Sequence, residues 1–176
     1  MRIGIIALGM AITTAAPAFA KVESVTPQGF AVSSTVTIKA RPAAVYTALS
    51  SPASWWSAAH TYSGDSANLS LDARPGGCFC ESIPKSGGQV EHMRVVFTLP
   101  GRMLRLRGAL GPLQGEGVDG ALSWTIMPVD GGSQLTQLYV VGGYIRSGIE
   151  AMAPAVDQVL GEQLTRLKNF VENGKP

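Results

Sequence analysis

The sequence predicts an α+β domain: an antiparallel sheet of six or seven strands closed by one long C-terminal helix. Three observations carry this. From about residue 30 to residue 141, short alternating apolar runs are separated by Gly- and Pro-rich turns, the pattern of half-buried strands. After Pro154 the apolar spacing changes to three and four, through Val156, Val159, Leu160, Leu164, Leu167, Phe170 and Val171. Between the first strand and the rest lie two short segments opened by prolines, Pro42 and Pro52. A single helix with one apolar stripe must lie on the sheet, because nothing else is large enough to cover it.

Each element follows in order. Phe30 to Ala40 alternates and is β-branched at Val32, Thr35, Val36, Thr37 and Ile38, so it reads as a strand. Arg41-Pro42 opens a helix with Val45, Tyr46 and Leu49 on one side; Ser50-Ser51-Pro52 ends it, and Pro52 starts a second short helix with Trp55 and Trp56. Leu69 to Leu71 precedes the turn Arg74-Pro75-Gly76-Gly77. Cys78 to Ile83 and Gln89 to Leu99 flank Pro84 to Gly88 as a hairpin, and Ala121 to Met127 and Ser133 to Val141 flank Pro128 to Gly132 as another. Arg102 to Leu110 alternates basic and apolar residues, and a Gly-rich loop covers Gly111 to Gly120. The last helix is expected over Pro154 to Asn173, capped by Gly174.

The first twenty residues read as a secretory signal peptide. Arg2 precedes an apolar run from Ile3 to Ile12, and small residues lead to Ala18-Phe19-Ala20. Residues 1–20 are therefore expected as a leader, 21–29 as an N-terminal arm and 30–174 as the folded domain. A periplasmic or secreted location follows, where ATP and nicotinamide cofactors are scarce and thiols meet an oxidising environment. Removing the leader takes away Arg2 and lowers the net charge from +2 to +1. Nothing in that balance suggests a nucleic-acid partner, whose binders carry a concentrated basic patch. No later run is apolar and long enough to predict stable membrane insertion after cleavage.

The order of strand, two short helices, further strands and one terminal helix resembles the helix-grip fold of the START-like, or SRPBCC, superfamily. This is the polyketide-cyclase and birch-pollen-allergen type, and the resemblance covers about residues 30–173. Four segments are similar to the branch named after chaperone ATPase activators: Val36 to Tyr46, the Trp55-Trp56 pair, the turn Arg74 to Gly77, and Val156 to Lys168. The resemblance implies a curved sheet gripping the helix, with an apolar cavity between them. The same scaffold serves carriers, receptors, cyclases and chaperone regulators, so it does not name a function.

The cavity is the expected site, and a small hydrophobic or amphipathic molecule the expected partner. The resemblance places Trp55, Trp56 and Tyr62 near one end, Leu110 and Leu113 on a loop that could cover it, and Met152, Val156 and Leu160 on the helix side. Of two adjacent tryptophans, one is expected to remain partly exposed. No coherent catalytic set is legible. His60, Glu81, Glu91 and Glu116 are the candidate acids and bases of an alternative cyclase- or hydrolase-type enzyme, and Glu81 and Glu91 could face one another across their hairpin. A protein-interaction module is a third reading, although export argues against a cytosolic, ATP-consuming chaperone as its partner.

Cys78 and Cys80 share one face of a strand. They admit three readings: free thiols, a disulfide between residues two apart, or, with His92 opposite Cys80, part of a metal site. Regular strand rise would hold their Cα atoms about 6.5–7 Å apart, at the limit for a disulfide. Gly115 to Gly120 spells G-x-G-x-x-G, but a strand follows where a nucleotide site needs a helix, so no cofactor is expected. Arg105 and Arg107 alternate with Leu104 and Leu106 and read as a solvated strand face or an anionic head-group site beside the cavity.

Overall fold

The computed structural model describes residues 21–176; the leader assigned to residues 1–20 lies outside the described residues. The chain runs β1 (Lys21–Thr26), β2 (Gly29–Ile38), α1 (Pro42–Leu49), three single 3-10 turns (Pro52–Ser54, Ala58–His60, Ser66–Asn68) and β3 (Leu69–Leu71). It continues through β4 (Cys78–Ile83), β5 (Gly88–Leu99), β6 (Met103–Gly108), a fourth 3-10 turn (Gly111–Gly115), β7 (Gly117–Val129), β8 (Gly132–Tyr144) and α2 (Ile149–Asn173). The strands form one sheet in the order β1-β2-β8-β7-β6-β5-β4-β3, every neighbouring pair antiparallel. The helix-grip architecture is therefore present, with eight strands.

The additional strand is β1, within the segment expected as an arm. Five of its six residues are exposed and only Val22 is half-buried, so no buried face imposes an apolar alternation on its sequence. The second short helix is only the 3-10 turn Pro52–Ser54, and both tryptophans follow it. The Gly-rich segment splits into the turn Gly111–Gly115 and the start of β7, so the G-x-G-x-x-G run ends in a strand. Helix α2 begins at Ile149, five residues before Pro154. Gly148 turns the chain into it with φ of 90°, and Pro154 sits exposed inside, with no N–H for the carbonyl four residues back. At the far end Gly174, in the left-handed region, donates its N–H to the Phe170 carbonyl at 2.8 Å.

The sheet's inner face carries Val32, Val36 and Ile38 of β2, Leu122, Trp124 and Ile126 of β7 and Leu135 of β8, all buried. Leu160, Leu164 and Leu167 of α2 are buried in the same core. Burying each such side chain contributes about 1.5–3 kcal/mol. One polar chain crosses this core without leaving a loose end: Trp124 Nε1 donates to Gln137 Oε1 at 2.9 Å, and Gln137 Nε2 donates to the Leu160 carbonyl at 3.1 Å. No helix among the described residues is long and apolar enough to cross a membrane.

Candidate functional site: an apolar cavity with one buried histidine

Toward the N-terminal half of α2 the sheet and helix part around a cavity of about 490 Å³. That lies within the roughly 300–1,000 Å³ of ordinary small-molecule sites. Met152, Ala155, Val156, Val159 and Leu160 line it from α2, and Leu69 and Phe79 from the sheet. Trp56, His60 and Tyr62 come from the segment between α1 and β3, and Leu110 and Leu113 from the Gly-rich turn. Only His60, Thr61, Tyr62 and His92 bring polar side chains, and no Lys, Arg, Asp or Glu is among the lining residues.

The Gly-rich turn is tied down at both ends. Tyr62 donates its hydroxyl to the Gly111 carbonyl at 2.9 Å. Buried Tyr139 accepts the Leu110 N–H and donates to the Gly108 carbonyl, each at 3.2 Å. Burial pushes the Tyr139 hydroxyl up to about 12, so it stays a protonated donor. Gly120 gives its ring room, since a Cβ there would lie 2.5 Å from the tyrosine.

Trp56, Tyr62, Leu110, Leu113, Met152, Val156 and Leu160 thus share one cavity wall, while Trp55 lies behind it. The expectation that one tryptophan stays exposed is wrong. Trp55 and Trp56 are 2% and 5% exposed. They leave a turn rather than a regular strand or helix, so their tilted rings both reach the interior. Each indole N–H also has a carbonyl: Trp55 donates to Ala48 at 2.9 Å and Trp56 to His60 at 3.1 Å.

A β-bulge rewrites the β4–β5 hairpin. Phe79 pairs with Met93 but Cys80 pairs with Glu91, so His92 is the extra residue. It turns inward beside Met93 and both are buried, whereas Glu91 is exposed beside Arg94, with Nε to Oε1 at 3.0 Å. Two expectations fall with this register. Cys80 does not face His92, so the three proposed metal ligands are not brought together. Glu81 and Glu91 do not face one another, because Glu81 is buried. Cys78 and Cys80 are 5.4 Å apart between Cα atoms, closer than a regular strand allows, and their sulfurs are paired as a disulfide. Gly108, with φ of 141°, accommodates the bulge; a Cβ there would lie 2.9 Å from the His92 carbonyl oxygen.

Inward rotation gives His92 a carboxylate. Its Nε2 lies 3.0 Å from Glu81 Oε2, and Glu81 also accepts the backbone N–H groups of Tyr62, at 3.1 Å, and Ser63. Burial alone would raise the Glu81 carboxyl, but hydrogen bonds from Ser63, Tyr62 and His92 outweigh it and hold the carboxyl below its ordinary value. Glu81 is therefore ionised and can only accept, so Nε2 carries the proton it donates. Burial lowers the His92 pKa more than Glu81 raises it, so the imidazole is neutral near pH 7. The ring stacks near Tyr62 and Phe79, with centroids 6.0 and 5.0 Å away.

The other acid–base candidates lie elsewhere. His60 is on the cavity rim, its Nε2 3.1 Å from Glu162 Oε2 on the solvent side. Glu116 clasps Arg146, accepting its backbone N–H at 2.9 Å and its guanidinium. Arg105 and Arg107 lie on the outer face of the sheet, away from the cavity. Arg105 donates to Ser123 Oγ at 2.8 Å, and Arg107 pairs with Asp119.

An antiparallel sheet wrapped on one helix, with an apolar cavity between them, defines a small-molecule-binding α+β scaffold. The chain belongs to the polyketide cyclase/dehydrase and lipid transport family, whose defining pattern matches residues 29–172. No curated protein matches it. Among solved structures it is similar to protein CV1439 from Chromobacterium violaceum, at 19% identity and a TM-score of 0.56, over 81% of this chain and 96% of that one. CalU16 from Micromonospora echinospora is 15% identical with a TM-score of 0.57, over 93% and 87% of the two chains. DynU16, from the dynemicin biosynthetic locus, is 19% identical with a TM-score of 0.56, over 83% of this chain and 48% of that one. At these identities the likeness is one of fold.

Proposed function

We propose that this protein is an exported, noncatalytic binder or carrier of a small hydrophobic or amphipathic molecule held between α2 and the sheet. The observation that carries this reading is the cavity of about 490 Å³, whose wall is mostly apolar and whose polar side chains are few, the buried His92 among them. Export rests on the charge, apolar run and small-residue site within residues 1–20. The paired sulfurs of Cys78 and Cys80 support it, since disulfides persist mainly in oxidising compartments. A protein-interaction module would need no such interior space.

N-phenyl-1-naphthylamine, an uncharged fluorescent hydrophobe, tests the reading. Its emission should rise saturably with one site per chain. Val156→Trp, which fills the cavity from α2, should abolish the rise while leaving the far-ultraviolet circular dichroism unchanged. Equal binding by both proteins would place the dye elsewhere and reject the cavity as the site.

The His92–Glu81 pair favours a second reading, an acid–base enzyme in the same cavity. A neutral imidazole oriented by a buried carboxylate is a serviceable general base. This reading shifts the proton-carrying role from His60 or a glutamate to His92. It requires turnover that His92→Phe removes while binding persists.

A further inference from the structure

We infer that the cavity selects uncharged hydrophobes bearing one O–H or N–H donor, and that Nδ1 of His92, oriented by Glu81, receives that donor. The inference rests on the reading of the cavity as a binding site and specifies what it accepts.

Glu81 is 1% exposed and already takes N–H groups from Tyr62 and Ser63, so its remaining demand is for a donor. His92 Nε2 supplies it at 3.0 Å. A neutral imidazole has one proton, so Nδ1 is left with a bare lone pair. No described residue donates to Nδ1. Nor is Nδ1 sealed among protein atoms, as Tyr46 Oη, Asp157 Oδ1 and Gln163 Nε2 are. The ring forms part of the cavity wall, so the acceptor is available to an occupant.

Charge sets the other half of the selectivity. A carboxylate or phosphate entering the cavity meets no Lys or Arg on its wall. It meets instead the bare lone pair of His92, with the Glu81 carboxylate directly behind it. Desolvating an anion without a partner is costly, whereas a hydroxyl or amine N–H brings the donor that Nδ1 of His92 lacks. The surrounding aromatic rings of Tyr62, Phe79 and Trp56 suit a flat apolar body.

Three probes of one shape test this on the full chain at pH 7.5: 2-naphthol, 2-methoxynaphthalene and 2-naphthoate. Calorimetry should rank naphthol above methoxynaphthalene by about tenfold, the effect of one net hydrogen bond in a buried site. Naphthoate should bind weaker than both. In His92→Phe, naphthol and methoxynaphthalene should bind equally, a change that general loss of structure would not produce. Nitrogen-15 spectra of the unmodified protein give a second test that needs no variant. They should show Nε2 protonated and Nδ1 bare, with the Nδ1 resonance moving when naphthol is added. Equal affinities for naphthol and methoxynaphthalene in the unmodified protein, or tightest binding by naphthoate, would overturn the donor rule while leaving the cavity as a binding site. Failure of all three to bind would overturn the binding reading itself.

Discussion

The two halves of α2 face the same sheet and do opposite things. From Leu160 onward the helix is sealed: Leu160, Leu164 and Leu167 are at most 2% exposed, and a hydrogen-bonded Gln137 bridges sheet to helix. Before Leu160 only Ile149 and Ala153 are buried, while Met152, Val156 and Val159 are half-buried around open space. Both halves repeat apolar residues at helical spacing. The difference lies in what stands opposite. The closed half meets the long, regular ladders of β2, β7 and β8. The open half meets turns, a short β3 and a bulged hairpin, which cannot approach as evenly. Close packing and open space are thus divided along one rod.

The largest effect expected from that division is on core truncation. Leu164→Ala should cost about 2–5 kcal/mol in urea unfolding, whereas Val156→Ala should cost less than about 1 kcal/mol because its site is already incompletely packed. Equal losses would erase the distinction between the halves.

Next comes the hinge of the open half. Gly108→Ala places a methyl 2.9 Å from the His92 carbonyl at a φ of 141°. It should destabilise by about 1–3 kcal/mol and weaken binding of the neutral probe, because the bulge that aims His92 must shift. An unchanged melting temperature would show the bulge to be adaptable.

Acid should act through the same place. The folded His92 pKa lies below its ordinary 6.5, burial being the larger cause, so the unfolded chain takes up that proton first. Its contribution to stability is complete above about 6.5 and is lost as pH falls from there toward the folded value. Glu81, lowered from 4.5, adds a second loss as pH falls below that value toward its own folded one. Unfolding curves from pH 8 to 4 should show declining stability, and His92→Phe should flatten the upper part of the decline. Stability that increased on acidification through this range would contradict the assigned ionisation.

The smallest of these effects belongs to the disulfide. Linking residues only two apart constrains the unfolded chain little, so Cys78→Ser with Cys80→Ser should cost about 1–2 kcal/mol. Thiol titration of the protein should find no free sulfhydryl.

Regular packing was legible in the amino acids; its interruptions were not. The spacing from Val156 to Val171 and the alternation of β2 and β8 each report one buried face, and the helix and sheet follow from that. Cavity residues such as Trp56, Tyr62 and Leu113 were reachable because family resemblance places their segments around the helix. The orientation of His92 was not. It depends on one unpaired residue in β5, and neither Cys80 nor Glu91 carries a mark of which will be its partner. Shifting the register by one residue exchanges the two faces of a strand, which moved His92 inward and Glu91 out. Strand β1 was missed for the converse reason: it buries no face. Pro154 misled because a proline that often starts a helix here lies within one.

Native mass spectrometry of the protein purified from its own host tests the central claim most directly. A retained, noncovalent hydrophobe of defined mass, present at one per chain and absent from Val156→Trp, is the predicted result. A bare chain that also fails to take up added N-phenyl-1-naphthylamine would contradict the account.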